Sequence, residues 1–212
     1  LLSRRQRQMC IRDRGWFVLQ AVDFLKKHGK TAIVWNESLN SGMMPNDIIV
    51  QRWMDKKDRS VEFANKGGKM IVSEFYYYYC DYPYGMTSLK KTYSLDPYIK
   101  GLTEAGKKNV YGVECPIWVE YIRDFDKLSY MCFPRFWAVA EAGWTKRANM
   151  DYNSFEERFE ALRPMLEEMG IKPAPRSDWN PNFLQSLKEL RQFFKGTTNL
   201  DNILNMIRNN QA

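Results

Sequence analysis

The chain has 212 residues, a net charge of +7 at neutral pH and 15% aromatic residues, enough for one domain with a sizeable core or for part of a larger one. Residues 1–14 carry five arginines and one aspartate, so +4 of the charge lies there and the other basic residues are interleaved with acids. This distribution argues against a nucleic-acid-binding protein. No apolar run approaches the length of a transmembrane helix, so we predict neither nucleic acid nor membrane as a partner.

Residues 1–14 have neither a hydrophobic period nor a helix-capping residue, and they resemble translated sequencing-adapter DNA. We predict that this segment is not native and exclude it from fold reasoning, with a genuine basic arm as the alternative.

Metal-dependent and histidine-based chemistry are both disfavoured. The cysteines at positions 10, 80, 115 and 132 form no C-x-x-C pair, and His28 is the single histidine. We therefore predict no metal site and no catalytic triad.

The predicted elements alternate between helix and strand. Apolar residues at Phe17, Ala21, Phe24 and Leu25 predict an amphipathic helix over residues 16–28, with Gly29 as its C-cap. Short apolar runs predict strands at residues 32–35, 48–53, 70–79 and 109–115. Further helices are predicted at residues 61–66, 97–106, 126–142, 154–169 (from a capping box at Ser154), 182–195 and, more weakly, 200–208.

Short strands that alternate with helices indicate parallel βα units, and hence an α/β fold. Four strands cannot close a (β/α)8 barrel, which leaves a small open sheet or half of a barrel. We favour the C-terminal half of a (β/α)8 TIM barrel, strands 5–8, in residues 15–170. Residues 171–212 are then a C-terminal helical extension.

Three triplets place an aromatic residue two positions before an acid, each after a predicted strand. They are Trp35-Asn36-Glu37, Tyr79-Cys80-Asp81 and Trp118-Val119-Glu120. Because alternate residues of a strand point to the same side, we expect each ring and carboxylate to lie together at the strand's C-terminal end. This pairing predicts a carbohydrate site, because the ring can stack on the apolar face of a sugar and the acid can accept hydrogen bonds from the sugar hydroxyls.

The order of these motifs resembles family 20 of the glycoside hydrolases, the β-N-acetylhexosaminidases. The resemblance rests on Trp35-x-Glu37, Gln51-Arg52-Trp53, Tyr79-x-Asp81-x-x-Tyr84-Gly85 and Gly112-x-Glu114-x-x-x-Trp118-x-Glu120. Phe133-Pro134-Arg135 and Ala140-Glu141-Ala142-Gly143-Trp144 resemble the helix after the family's last strand. The resemblance to the family covers about residues 16–170.

The resemblance implies an enzyme that removes terminal β-linked N-acetylglucosamine or N-acetylgalactosamine without a metal or organic cofactor. Its substrates would be N-acetylhexosamine-terminated glycans or chitooligosaccharides, in a periplasmic, secreted or lysosomal location. In this family an adjacent Asp-Glu pair after the fourth strand supplies the acid/base, and the substrate's own acetamido oxygen attacks C1. This chain has no Asp-Glu dipeptide. We therefore expect the pair to lie in a missing N-terminal barrel half, and the isolated chain to be inactive.

The resemblance also implies roles for individual residues. Tyr79 would be the catalytic hydrogen-bond donor to the acetamido oxygen; the residues alone leave Tyr77 equally eligible. Trp35, Trp53 and Trp118 would wall the sugar. Asp81 and Glu120 would bind its hydroxyls.

Other acids and tryptophans receive structural interpretations. Glu37 and Glu114 are predicted to bind loop backbone, and Glu141 to be a buried acid. We predict packing roles for Trp137, Trp144 and Trp179.

Two rival functions stay open at this point. One is a non-catalytic glycan-binding protein that kept the aromatic platform. The other is an unrelated barrel glycosidase with a convergent aromatic–acid site.

Overall fold

The computed structural model describes residues 4–195, with side chains from Met9 to Phe194. Its strands are β1 (Ile33–Trp35), β2 (Ile49–Arg52), β3 (Lys69–Val72) and β4 (Val110–Val113). Its helices are α1 (Arg4–Lys27), α2 (Arg59–Asn65), α3 (Phe75–Tyr78), α4 (Leu89–Ser94), α5 (Glu104–Lys107), α6 (Phe125–Cys132), α7 (Arg135–Trp144), α8 (Tyr152–Glu168) and α9 (Phe183–Lys195). None of the helices in this described part is long and apolar enough to cross a membrane.

The strands form one parallel sheet in the order β1-β2-β3-β4. The predicted α/β fold with a parallel sheet is confirmed, and each of the four predicted runs contains a strand, although the third strand ends at Val72 and not at Tyr79. Among the described residues β1 and β4 are the sheet's two edges.

The chain divides into two compact units. The first unit comprises the residues up to Tyr78, Leu95–Cys115 and Val139–Met150. The second unit comprises Tyr79–Ser94, Pro116–Ala138 and the residues from Asp151 onward. The whole sheet lies in the first unit. The predicted division at residues 14 and 170 stays a prediction.

Helix α1 packs within the first unit through a stripe that shares only Leu25 with the one predicted. Phe17 and Phe24 are 71% and 62% exposed, whereas Val22 is buried and Val18 and Leu25 pack beside it. The spacing of Val18, Val22 and Leu25 gives a narrower apolar stripe that fits against the core. The large aromatic residues misled the prediction because they lie on an exposed face of the helix.

Helix α1 also begins earlier than predicted, at Arg4, and so includes most of the segment that was set aside. Arginine, glutamine and methionine favour helix even without an apolar period, so a helix can extend through such a sequence. The non-native origin of residues 1–14 stays a prediction. The predicted C-cap is confirmed, since α1 ends at Lys27 and Gly29 has a φ of 66°.

The core of the second unit is built on Trp179, which is fully buried. Its ring lies 5.5 Å from that of Phe159, which in turn lies 5.1 Å from Trp137. The packing roles predicted for Trp137 and Trp179 are confirmed. The one predicted for Trp144 is wrong, because that side chain is 92% exposed.

Several helix limits differ from the predictions. The single helix expected at residues 126–142 is two helices, α6 and α7, because Pro134 has no N–H with which to continue the first one. Helix α8 begins at Tyr152 and is capped by Asp151, whose carboxylate accepts from the Ser154 N–H, so Ser154 is not the cap. The helix expected at 97–106 is wrong, since α4 ends at Ser94 and α5 covers four residues. The helix expected at 182–195 is confirmed as α9, and the one at 200–208 lies outside the described residues.

We predict that residues 15–212 expressed alone will aggregate or remain molten, because the sheet has two open edges and aromatic residues such as Phe17 and Phe24 face outward. Dye binding, size-exclusion chromatography and thermal melting of the purified segment test this. A sharp melting transition of a monomer would contradict it.

Candidate functional site

In none of the three aromatic–acid triplets does a strand continue from the aromatic residue to the acid. Trp35 is the last residue of β1, and Asn36 already begins a 3-10 helix. The predicted strand at 70–79 ends at Val72, so Phe75 to Tyr78 are helical and Tyr79 follows them. The strand-alternation argument for all three triplets is therefore wrong, since the chain leaves the extended conformation before each acid. Whether the ring and the acid belong to one site depends on the loops.

In the first unit, Trp35 and Trp53 meet at the C-terminal ends of β1 and β2. Their ring centroids are 6.2 Å apart with planes at 71°, and Trp53 makes a second edge-to-face contact with Phe75 at 5.9 Å. Trp35 remains 36% exposed. The structure thus brings the two predicted tryptophans together as a row of rings with exposed surface.

Polar side chains from the β1–α2 region hold Trp53 in place. Asn36 is buried, its Oδ1 accepts from the Trp53 backbone N–H at 3.0 Å, and its Nδ2 donates to the Met54 carbonyl at 3.2 Å. Glu37 accepts from the indole Nε1–H of Trp53 at 2.5 Å. Glu37 was expected to bind loop backbone, and a backbone hydrogen bond to its carboxylate does lower its pKa. The same carboxylate also orients a ring of the predicted site.

The Glu37 carboxyl end lies against Trp53, although the residue as a whole is exposed. Burial of that end raises the pKa of Glu37, and the indole N–H partly offsets the rise. The indole bond is strongest when the carboxylate is ionised.

Arg52 anchors the loop that follows β2 and carries Trp53. Its Nε donates to Glu74 at 2.9 Å, and its Nη1 donates to Ser60 at 3.0 Å and lies 3.3 Å from Asp55. Asp55 in turn accepts from both the backbone and the hydroxyl of Ser60 at 2.6 Å. This buried network fixes the backbone on either side of Trp53.

In the second unit, Tyr79 and Asp81 lie on one tightly packed loop. They are 4% and 2% exposed, and Cys80 between them is fully buried. Asp81 Oδ1 is buried with no hydrogen-bond partner in the described part of the chain. Burial raises the pKa of Asp81 to about 7; a backbone N–H and Arg135 lower it, and Glu120 raises it further.

Trp118 and Glu120 lie on the segment that follows β4 in the chain. Trp118 is 47% exposed, and Glu120 is exposed as well. Glu120 is near enough to raise the pKa of Asp81, so the second unit places two carboxyl groups within electrostatic range of each other. The loop containing Asp81 is joined to this segment by a hydrogen bond from the Cys80 N–H to the Pro116 carbonyl at 3.0 Å.

Arg135, the first residue of α7, holds the loop that carries Asp81 through hydrogen bonds to its backbone. Its side chain is fully buried and donates to the carbonyls of Cys80 at 2.6 Å and Tyr82 at 2.8 Å, one on each side of Asp81. It also donates to the Thr87 carbonyl, and its guanidinium lies 4.2 Å from the centre of the Tyr84 ring. Arg135 therefore fixes the backbone of the Asp81 loop.

Sequence reasoning missed Asn36 and Arg135 as supports of the predicted site. Arg135 carries the only charge in an otherwise apolar stretch from Cys132 to Ala140, a pattern that marks a buried charge with dedicated partners. Asn36 has no comparable pattern, because its partners are backbone groups of the loop that follows β2.

The chain thus combines a parallel α/β sheet with loops that carry tryptophans, a tyrosine and two acids after the strands. The model of "Glycosyl hydrolase family 20, catalytic domain" matches residues 3–147, more than half of the chain, and the chain belongs to this family of β-N-acetylhexosaminidases.

Characterised relatives agree with this membership. The chain is 28% identical over 187 residues to a β-hexosaminidase of Porphyromonas gingivalis, covering 81% of this chain and 24% of the relative. It is 32% identical over 163 residues to a β-hexosaminidase of Akkermansia muciniphila, covering 71% of this chain and 32% of the relative. The chain thus spans about a quarter to a third of the length of these relatives.

The fold is similar to that of solved family members. The product complex of a mutant Streptomyces plicatus β-hexosaminidase with N-acetylglucosamine matches with a TM-score of 0.69 and 30% identity. The match covers 79% of this chain and 36% of that one.

We predict that Asp81→Asn stabilises the complete protein at about pH 8 but not at about pH 4, by roughly 1–3 kcal/mol. Its folded pKa of about 7 lies above the ordinary 3.8, so the folded state binds more protons than the unfolded state between these values. Stability is therefore fully present below pH 3.8 and is lost as the pH rises toward 7.

Thermal melting at several pH values measures this effect, with Asp126→Asn as a matched control. Asp126 is exposed and pairs with Lys172 at the surface, so its substitution shows what removal of a surface carboxylate alone does to the melting temperature. An Asp81→Asn protein whose melting follows the wild-type pH dependence would show that Asp81 titrates normally.

Proposed function

We propose that this chain forms strands 5–8 of the (β/α)8 catalytic barrel of a β-N-acetylhexosaminidase. Membership of family 20 and the four-stranded parallel sheet support this placement. The complete enzyme removes terminal β-linked N-acetylglucosamine or N-acetylgalactosamine from glycans or chitooligosaccharides.

The observation that carries this proposal is the arrangement of the second unit, where the loop with the nearly buried Tyr79 and Asp81 is hydrogen-bonded to the segment that carries Glu120. Asp81 and Glu120 bind sugar hydroxyls, since a carboxylate accepts strong, charge-assisted hydrogen bonds. Trp118 offers an exposed aromatic face for the sugar's C–H groups.

Tyr79 acts on the substrate's acetamido oxygen. In substrate-assisted hydrolysis this oxygen attacks C1 and forms a cyclic oxazolinium intermediate, so its charge changes during the reaction. A donor fixed by burial costs no reorganisation when that charge develops. Trp35 and Trp53, held by Asn36 and Glu37, give the first unit an apolar surface of the kind on which a sugar can stack.

The acid/base pair of this mechanism comes from a part of the protein outside this sequence, because the chain contains no Asp-Glu dipeptide. The same absence favours one second candidate: a glycan-binding protein that kept these sugar contacts without turnover.

An inhibition experiment on the complete protein separates the candidates. We expect it to hydrolyse an aryl β-N-acetylglucosaminide and to be inhibited by a thiazoline that mimics the oxazolinium. Sugar binding without turnover would support the binding protein. Turnover that ignores the thiazoline and traps a covalent glycosyl-enzyme would indicate an unrelated retaining glycosidase.

We predict that Tyr79→Phe in the complete enzyme lowers kcat by about 100-fold or more, from loss of one donor to the developing charge. Tyr77→Phe is the matched control, since Tyr77 packs on the hydrophobic core of the first unit. Steady-state kinetics with the aryl glycoside measure both. An unchanged kcat for Tyr79→Phe, or an equal loss for Tyr77→Phe, would remove Tyr79 from the mechanism.

A further inference from the structure

Helix α9, the last helix among the described residues, packs directly on the two segments that carry Asp81 and Glu120. The ring of Phe193 lies 5.6 Å from that of Tyr82 and 4.6 Å from that of Tyr121. Tyr82 follows Asp81 and Tyr121 follows Glu120 in the chain. One side chain of the C-terminal region thus bridges the immediate neighbours of both acids.

The same helix is fixed at a second point of the Asp81 loop. Glu189 accepts from the Gly85 backbone N–H at 2.8 Å. A Cβ on Gly85 would lie 2.8 Å from the Ser186 Cα, so the helix backbone approaches the loop more closely than any other residue would allow. Gly85 and Glu189 therefore set the distance of α9 from the loop.

The electrostatics of the tyrosines place them within the field of the acids. Burial raises the pKa of Tyr82, and Asp81, Tyr121 and Glu120 raise it further. Burial also raises the pKa of Tyr121, with additional effects of Glu120 and Asp81. Each tyrosine is thus influenced by both carboxyl groups, and Phe193 contacts both rings.

We propose that Phe193 is a positioning residue for the two sugar-binding acids, and that α9 is part of the substrate-binding architecture rather than an accessory tail. The inference rests on the function proposed above for Asp81 and Glu120. The two acids are 39 positions apart in the sequence. The Phe193 bridge and the backbone hydrogen bond between Cys80 and Pro116 hold their segments together.

The test is Phe193→Ala in the complete protein, with steady-state kinetics on an aryl β-N-acetylglucosaminide. Loss of the ring contacts with Tyr82 and Tyr121 should raise KM about 5- to 30-fold. The constant kcat should change less than about 3-fold, because binding of the sugar hydroxyls contributes to the ground state and the transition state alike. Leu184→Ala is the matched control: it lies on the same helix, is 75% exposed and should leave both constants unchanged.

A double-mutant cycle distinguishes positioning from general destabilisation. If Phe193 acts through the acids, Phe193→Ala should raise KM less in a Glu120→Ala background than in the wild-type protein, because only Asp81 is then left to position. A purely structural role would give independent, multiplying effects. Should Phe193→Ala fail to fold, Glu189→Ala removes the other attachment of α9 and should raise KM about 2- to 5-fold.

The outcomes separate the two proposals. An active wild-type protein whose Phe193→Ala and Glu189→Ala variants keep the wild-type KM, or a cycle with fully independent effects, overturns this inference alone. A wild-type protein with neither turnover nor N-acetylglucosamine binding overturns the proposed function and this inference with it.

Discussion

A guanidinium group can stay charged in a buried site only if its N–H groups find acceptors, and Arg135 meets this condition with backbone carbonyls. Its five N–H donors are directed at Cys80, Tyr82 and Thr87 and, twice, at Met131. The cost of removing the charge from water is large, and four carbonyl dipoles and the face of Tyr84 offset it. The side chain that makes these bonds also dictates the path of the Asp81 loop.

The consequence for function is that the acids of the second unit have different environments. Asp81 is buried on the backbone that Arg135 holds, and its pKa is raised, whereas Glu120 is exposed on the neighbouring segment. A carboxyl group that is already desolvated loses little hydration when a sugar hydroxyl binds it. The cost of desolvation is met when the protein folds, which is the general meaning of a preorganised site. Helix α9 completes this arrangement by contacting the neighbours of both acids.

The first unit uses a different means to the same end. Trp53 is held by its own backbone through Asn36 and by its indole through Glu37, so the ring cannot turn freely. A rigid ring with an exposed neighbour, Trp35, presents an apolar surface at low entropic cost on binding.

The sequence predicted the strands, their parallel arrangement and the family, because short β-branched runs and ordered motifs are local features. It failed where the outcome depended on non-local partners. Phe17 and Phe24 look like core residues in the sequence, yet they are exposed, and Val18 and Val22 pack in the core instead. The prediction that the third strand continues through Phe75 to Tyr79 is wrong. The tyrosines favour a strand by propensity, but Phe75 to Tyr78 form helix α3. The apolar surroundings of Arg135 in the sequence mark it as a buried charge, but the partners of Asn36 and Arg135 could not be predicted, since they are backbone groups that any sequence provides.

The most direct test of this account is a crystal structure of the complete protein with N-acetylglucosamine bound. The account predicts the carboxylates of Asp81 and Glu120 within about 3.2 Å of sugar hydroxyls, and the Tyr79 hydroxyl at the same distance from the acetamido oxygen. A sugar bound elsewhere, or one that leaves Asp81 and Tyr79 without contact, would contradict it.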